Sequence, residues 1–108
     1  MKARYLVAIS ASICISASAF AADDGEALFR SSGCSSCHSV DMKVVGPALK
    51  DVAAKYAGDK NAQAMLERKV RSGGSGSFAN MPMPMPATPA AVSDASIKAM
   101  VTWILSLK

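Results

Sequence analysis

The sequence is poor in the residues from which metal clusters, sheets and large cores are built. Its 108 residues include one histidine, three cysteines and one tryptophan. No stretch alternates apolar and polar residues long enough to predict a β-strand, and no segment repeats. Positive charge is spread along the chain rather than gathered in a basic stripe, which argues against nucleic-acid binding. These absences favour one small all-α domain.

The first 21 residues have the pattern of a secretory signal peptide. Lys2 and Arg4 form a positive start, residues 5–20 carry no charge, and Ala19-Phe20-Ala21 forms a small-residue cleavage site. The uncharged stretch is too short and too rich in serine and alanine for a membrane span, which needs about 20 mostly apolar residues. We therefore expect a cleaved signal peptide at 1–21, a mature domain at 22–108 without a membrane span, and a periplasmic location.

Cleavage changes the composition of the chain. It leaves 87 residues with 10 basic and 8 acidic side chains, four aromatic residues, and Cys34 and Cys37 as the remaining cysteines. A chain of this size buries a limited core and often needs a disulfide, a metal or a cofactor to hold it together. We expect a group other than side chains to fill the middle of the domain.

Helical patterns occupy most of the mature chain. The first helix follows acidic residues at 23–26, which suit the positive end of a helix dipole, and it stops at Gly33. The second is predicted at 48–56 with Pro47 in its first turn. The third begins near Asp59 or Asn61 and ends at Gly73, with one buried face formed by Ala62, Leu66 and Val70.

The last helix has the clearest pattern, and a long loop precedes it. Ser93 is a good N-cap, and the apolar residues that follow form one stripe: Ile97, Met100, Val101, Ile104 and Leu105. Residues 73–92 are rich in turn-forming types, and alternating prolines at 82–86 exclude a helix or a paired strand there. A long loop in so small a domain is usually functional or disordered.

Cys34-Ser35-Ser36-Cys37-His38 has the C-x-x-C-H pattern that attaches haem c. Two thiols three residues apart on a helical turn can reach both vinyl groups at one porphyrin edge, and the next imidazole can bind the iron. A disulfide would suit an oxidising compartment, and a thioredoxin-like pair would need a βαβ context. Zinc would need more ligands than two cysteines and one histidine provide. The pattern therefore favours covalent haem.

The second axial position is open to a methionine, a lysine or no ligand, because His38 is the only histidine. Three of the six mature methionines are poor candidates, two because they lie in helical patterns and one because it follows His38 closely: Met65, Met100 and Met42. Met81, Met83 and Met85 remain, in a segment that proline stiffens. A thioether favours Fe(II), and His/Met ligation raises the reduction potential.

From residue 25 to its end the chain closely resembles the short, monohaem class I cytochromes c of bacterial periplasms. The resemblance rests on five segments: Gly33–His38, Val45–Ala48, Lys50–Gly58, Pro82–Pro84 and Val92–Asp94 with Trp103–Ser106. The haem motif alone indicates only haem c, but its combination with the other segments is highly specific. The resemblance implies a small all-α cytochrome c fold of four or five short helices wrapped around one covalently bound haem.

The resemblance also implies roles for individual residues. Cys34 and Cys37 would form the thioethers, His38 would be the proximal ligand, and the carbonyl of Pro47 would accept a hydrogen bond from its second ring nitrogen. The axial methionine of the family falls on Met83. Lys69 and Phe78 occupy positions where relatives often hold an arginine and a tryptophan that touch a haem propionate. Phe78 has no N–H to donate, and the segment 85–91 is slightly longer than usual.

These features predict a periplasmic one-electron carrier rather than an enzyme, since no residue cluster resembles a catalytic acid, base or nucleophile. The implied partners are redox proteins that dock transiently, such as a nitrite reductase, a terminal oxidase or a donor of the cytochrome bc1 type. We expect a monomer. The alternative is a haem domain with a labile sixth site that senses or reacts with a small molecule, and permanent attachment to a larger oxidoreductase also remains open.

Overall fold

The computed structural model describes residues 10–12 and 22–108, so the predicted signal peptide lies almost wholly outside the described residues. In the described part four helices follow one another: α1 at Ala22–Ser31, α2 at Leu49–Lys55, α3 at Ala62–Ser72 and α4 at Asp94–Leu105. A 3₁₀ turn at Cys34–Ser36 separates the first two helices. None of the helices in these ranges is long and apolar enough to cross a membrane. The prediction of an all-α fold is confirmed.

Helix α4 forms the centre of the core. The Ser93 hydroxyl caps it by accepting a hydrogen bond from the Ser96 N–H at 3.1 Å. Four residues of the predicted stripe are buried, and Leu105 packs at the edge of the core. These side chains meet apolar residues of α1 and α2, and the buried cluster consists of Phe29, Leu49, Val52, Ile97, Met100, Val101, Trp103 and Ile104.

Helix α1 crosses α4 at very short range. A Cβ at Gly25 would lie 2.3 Å from the Ala99 carbonyl oxygen, so only glycine fits at this crossing. One turn later the rings of Phe29 and Trp103 pack with their centroids 5.3 Å apart. This contact fixes α1, and with it the chain that leads directly into Cys34.

Helix α2 begins one residue later than predicted, and Pro47 lies outside it. Ala48 is the N-cap, with ψ of 138°, and its carbonyl accepts hydrogen bonds from Asp51 and Val52. The N–H groups of Leu49 and Lys50 donate instead to the carbonyls of residues 39 and 40. The first turn of α2 is therefore anchored to the chain that follows the haem motif.

The prediction that prolines exclude strand pairing in the long loop is wrong at one residue. Met85 lies between two prolines but keeps its own N–H, which donates to the Gly74 carbonyl at 2.9 Å, and its carbonyl accepts from the Gly74 N–H at 2.8 Å. This isolated antiparallel bridge holds the loop against the end of α3. Gly73, with φ of +68°, permits the close approach, because a Cβ there would lie 2.4 Å from the Met85 carbonyl oxygen.

Candidate functional site

A mainly apolar cavity of about 200 Å³ opens beside α4. The haem motif and the chain around Pro47 form one wall, and the loop from Gly74 to Pro86 forms another. Core side chains of the helices form its floor: Leu49, Val52, Leu66, Val70, Met100, Val101 and Ile104. Apolar lining with few polar groups is typical of a cofactor site.

The haem motif forms a single tight helical turn at the rim of this cavity. The Cys34 carbonyl accepts hydrogen bonds from the N–H groups of Cys37 at 3.2 Å and His38 at 3.1 Å. Residues at i, i+3 and i+4 of such a turn share one face, and all three side chains line the cavity. This placement is consistent with the prediction from the sequence that Cys34, Cys37 and His38 bind one group.

The two cysteines are half-buried and unpaired, so no disulfide joins them. Burial raises the pKa of the Cys34 thiol, and a smaller contribution of the same sign comes from Cys37, while a backbone hydrogen bond lowers it. The thiol of Cys34 is therefore neutral near pH 7 unless another group stabilises its thiolate. Within the described residues no cluster of histidine, cysteine and carboxylate side chains could hold a metal ion.

His38 is held from three sides. Its Nδ1 lies 3.0 Å from the Pro47 carbonyl oxygen, which can only accept, so Nδ1 is the donor and Nε2 is the ring nitrogen left for another partner. A Cβ at Gly46 would lie 2.5 Å from the ring carbon Cε1, which shows how closely the backbone packs under the imidazole. The Phe29 ring meets it edge-on with centroids 6.4 Å apart. The imidazole is therefore fixed in both tautomer and direction.

The second wall carries three methionines. Met81, Met83 and Met85 all line the cavity, and Met83 has 56% of its surface exposed. The backbone of this segment is tied at both ends. Lys43 donates to the Asn80 carbonyl at 2.8 Å, and the bridge to Gly74 holds Met85.

Lys69 and Phe78, the other two predicted site residues, also line the cavity. Lys69 is the one lysine or arginine among the described lining residues, and its Nζ donates to the Ser75 carbonyl at 3.3 Å. The Phe78 ring lies under the Lys55 ammonium, whose Nζ is 4.4 Å from the ring centroid. Lys55 also donates to the Ser77 carbonyl.

Two contacts at the site were not predicted from the sequence. One joins Lys55 to Ser77 and Phe78 in the cavity wall, and the other joins Gly46 to the imidazole. Lys55 lies on the last turn of α2, and its partners follow more than twenty residues later. No local pattern signals such a contact. In the sequence, Gly46 is notable only because proline follows it. Such a Gly-Pro pair indicates a turn, and it does not indicate that the imidazole of His38 packs against the glycine.

The residues present fit a haem attached through two thioethers, because the haem motif brings two thiols and an oriented imidazole to the cavity and the loop brings thioether side chains to it. The Cytochrome c family model matches residues 22–108. The chain belongs to the cytochrome c family. Its curated relatives include cytochrome c-551 of Pseudomonas aeruginosa, 46% identical over 87 residues that cover 81% of this chain and 80% of the relative. Cytochrome c-552 of Nitrosomonas europaea is 44% identical over the full length of both chains.

Solved structures agree with this assignment. The crystal structure of cytochrome c552 from Nitrosomonas europaea matches with a TM-score of 0.70 and 47% identity, over 77% of this chain and 99% of that one. The class 1 cytochrome MtoD from Sideroxydans lithotrophicus matches with a TM-score of 0.67 and 37% identity, over 79% of this chain and 94% of that one. This protein is thus a class I bacterial cytochrome c, a haem-bearing electron carrier with one covalently bound c-type haem.

Proposed function

We propose that this cytochrome c is a periplasmic one-electron carrier in which His38 and Met83 are the axial ligands of the iron. The observation that carries the proposal is the imidazole of His38, fixed by the Pro47 carbonyl at 3.0 Å and lining the same cavity as Met83. When bound, the haem supplies an iron that alternates between Fe(II) and Fe(III). The thiols of Cys34 and Cys37 provide the covalent attachment.

The protein's own residues tune and protect this centre. The hydrogen bond from Nδ1 to Pro47 raises the basicity of the other ring nitrogen and keeps it aimed at the metal. The apolar side chains of the cavity would keep most water away from the bound group, so few water molecules would have to reorient when its charge changes. Lys69, which lines the cavity, would bind a haem propionate, and Phe78 would cover the group by contact alone because its ring has no N–H.

The placement of the three methionines favours Met83 as the ligand. Met85 uses both backbone hydrogen-bonding groups in the bridge to Gly74, which fixes it at the end of the segment. Met83 lies midway between that bridge and the anchor at Asn80. A residue between two fixed points can swing its side chain towards the cavity while the anchors limit the entropy that ordering costs.

The proposed location follows from the predicted signal peptide at 1–21. A cytochrome exported in this way meets its partners by diffusion, and we propose a monomer that docks transiently on redox proteins such as a nitrite reductase, a terminal oxidase or a cytochrome bc1-type donor. Such complexes must dissociate quickly, which favours small interfaces.

A redox titration followed by absorption spectroscopy tests this function. We expect one reversible transition with a slope of about 59 mV per decade, as for a one-electron couple, and a thioether-to-iron band near ~700 nm in the ferric protein. A high-spin ferric spectrum without that band would instead support the labile-site alternative, in which the protein binds or senses a small molecule.

The proposed docking face is an apolar patch around the cavity opening. The face consists of Val44, which is 51% exposed, together with Val45, Pro47 and the Pro82–Met85 stretch, in which Met83 would turn inwards when it binds the iron. The two lysines at its rim are already engaged. Lys43 donates to a backbone carbonyl, and Lys50 forms an ion pair with Asp41 at 2.6 Å.

The rate of electron transfer to a partner should therefore depend only modestly on salt. Between low and moderate ionic strength we expect a decrease of less than about tenfold, because strong steering needs a much larger field than this chain provides. Stopped-flow measurement with a partner oxidase or reductase gives the rate. Lys50→Gln, which removes one positive charge at the rim, is the test variant. Lys60 is exposed between α2 and α3, and Lys60→Gln is the control. A decrease of several orders of magnitude would show that charge dominates docking.

A further inference from the structure

The side chain of Arg71, on the last turn of α3, binds the chain that follows the methionine segment. Its guanidinium donates to the carbonyls of Thr88 at 3.3 Å and Pro89 at 2.9 Å through one nitrogen. Through the other it donates to the carbonyl of Val92 at 2.7 Å and to the carboxylate of Asp94 at 2.8 Å. One arginine therefore bonds to four residues within a stretch of seven.

Backbone contacts place the same stretch beside the end of α3. The Thr88 N–H donates to the Arg71 carbonyl at 3.2 Å, and the Thr88 hydroxyl donates to the Val70 carbonyl at 2.7 Å. The close approach of Met85 and Ala87 to Gly73 continues this contact towards the methionines. The chain from 85 to 94 thus lies along the C-terminal turn of α3, with the guanidinium as its one charged anchor.

The planar fork of the guanidinium is essential to this arrangement. Its rigid set of donors reaches several carbonyls at once, whereas the ammonium of a lysine is a single point charge on a flexible stem. The ion pair to Asp94 contributes little, because that carboxylate is 95% exposed to water. The three carbonyl bonds, made by a side chain that is only one-third exposed, therefore carry the interaction.

We propose that Arg71 is a positioning residue that holds the methionine segment in place and so keeps the axial thioether at the iron. The proposal rests on the proposed ligation by His38 and Met83. Without the guanidinium, residues 89–94 lose their side-chain anchor to α3, and the bonds of Thr88 and the bridge at Met85 alone hold the segment that carries Met83. The thioether then spends a larger fraction of time away from the iron.

Imidazole measures that fraction, because it competes for the iron only when the thioether has left. The apparent affinity is the intrinsic affinity multiplied by the population of the open form. In the ferric holoprotein we expect Arg71→Gln to bind imidazole at least tenfold more tightly than the unmodified protein. Arg71→Lys, which keeps the charge but loses the fork, should show most of this increase, and Asp94→Asn should change it less than threefold.

Arg68→Gln is the matched control. Arg68 is exposed on the same helix and its side chain makes no hydrogen bond or ion pair within the described part of the chain, so this variant should bind imidazole as the unmodified protein does. If Arg71→Gln does not take up haem, Arg71→Lys decides the question alone. An unchanged imidazole affinity together with a lower melting temperature would overturn the proposal and leave Arg71 a purely structural role.

The same titration separates this proposal from the ligation on which it rests. If the unmodified protein lacks the thioether band and binds imidazole as tightly as Met83→Ala, the assignment of Met83 fails, whatever the effect of Arg71. If the band is present and the Arg71 variants bind imidazole as the unmodified protein does, the ligation holds and the positioning role is refuted.

Discussion

The replacement of Met83 by alanine is expected to abolish the thioether-to-iron band near ~700 nm and to lower the reduction potential. The thioether stabilises Fe(II), so its loss favours the ferric state. Axial ligands set potentials over a range of roughly 0.8 V, and we expect a decrease on the order of 0.1 V or more. Absorption spectra of the ferric protein and a redox titration of both proteins provide the measurement.

The neighbouring methionines are the controls for this variant. Met81→Ala and Met85→Ala change the same cavity wall but should keep the band, because neither side chain is the proposed ligand. The reverse result, with the band intact in Met83→Ala and lost in Met85→Ala, would shift the ligand by two residues along the proline-rich segment. The bridge between Gly74 and Met85 would then mark the ligand itself instead of the end of its segment.

Haem-free protein with both cysteines replaced, Cys34→Ala/Cys37→Ala, is expected to be largely unfolded. Six buried core side chains also line the cavity: Phe29, Leu49, Val52, Met100, Val101 and Ile104. Full burial of such a side chain is worth about 1.5–3 kcal/mol. For six together this is comparable to the whole stability of a small domain, roughly 5–15 kcal/mol, and loss of the haem removes the part of that packing that faces the cavity. The four helices are also too short to persist alone, since isolated helices below about 12–15 residues are marginal.

Far-UV circular dichroism measures this loss of helix, after absorption spectroscopy has shown that the preparation contains no haem. Ser35→Ala/Ser36→Ala is the control, because it changes the same turn but leaves both attachment sites, and it should take up haem and fold. Native-like helicity in the haem-free cysteine variant would show that the side chains alone form a sufficient core.

The elements that sequence predicts well are those set by local patterns. The stripe of α4 and its Ser93 cap follow from residue spacing and side-chain chemistry within twelve residues, and both are present in the structure. The grouping of Cys34, Cys37 and His38 follows from one helical turn. The start of α2 was misplaced because its first N–H groups bond to the chain at 39 and 40, a contact that propensity does not encode.

Contacts between distant parts of the chain could not be read in this way. Arg71 has the same local signature as any basic residue near a helix end, where it suits the dipole, and nothing nearby indicates that it binds carbonyls 17 to 21 residues later. The proline-rich segment was recognised as a loop, but its bridge to Gly74 depends on how α3 ends. Tertiary geometry decides both features.

The bridge between Gly74 and Met85 also bears on how the protein moves. The bridge joins the two ends of the chain between these residues, which therefore forms a closed lobe. The two hydrogen bonds of the bridge offset the entropic cost of closing this loop. The lobe carries Met83 and contributes none of the buried core residues. It can therefore open as a unit of low local stability while α3 and α4 stay folded. We therefore expect the access of small molecules to a bound iron to require less free energy than global unfolding does.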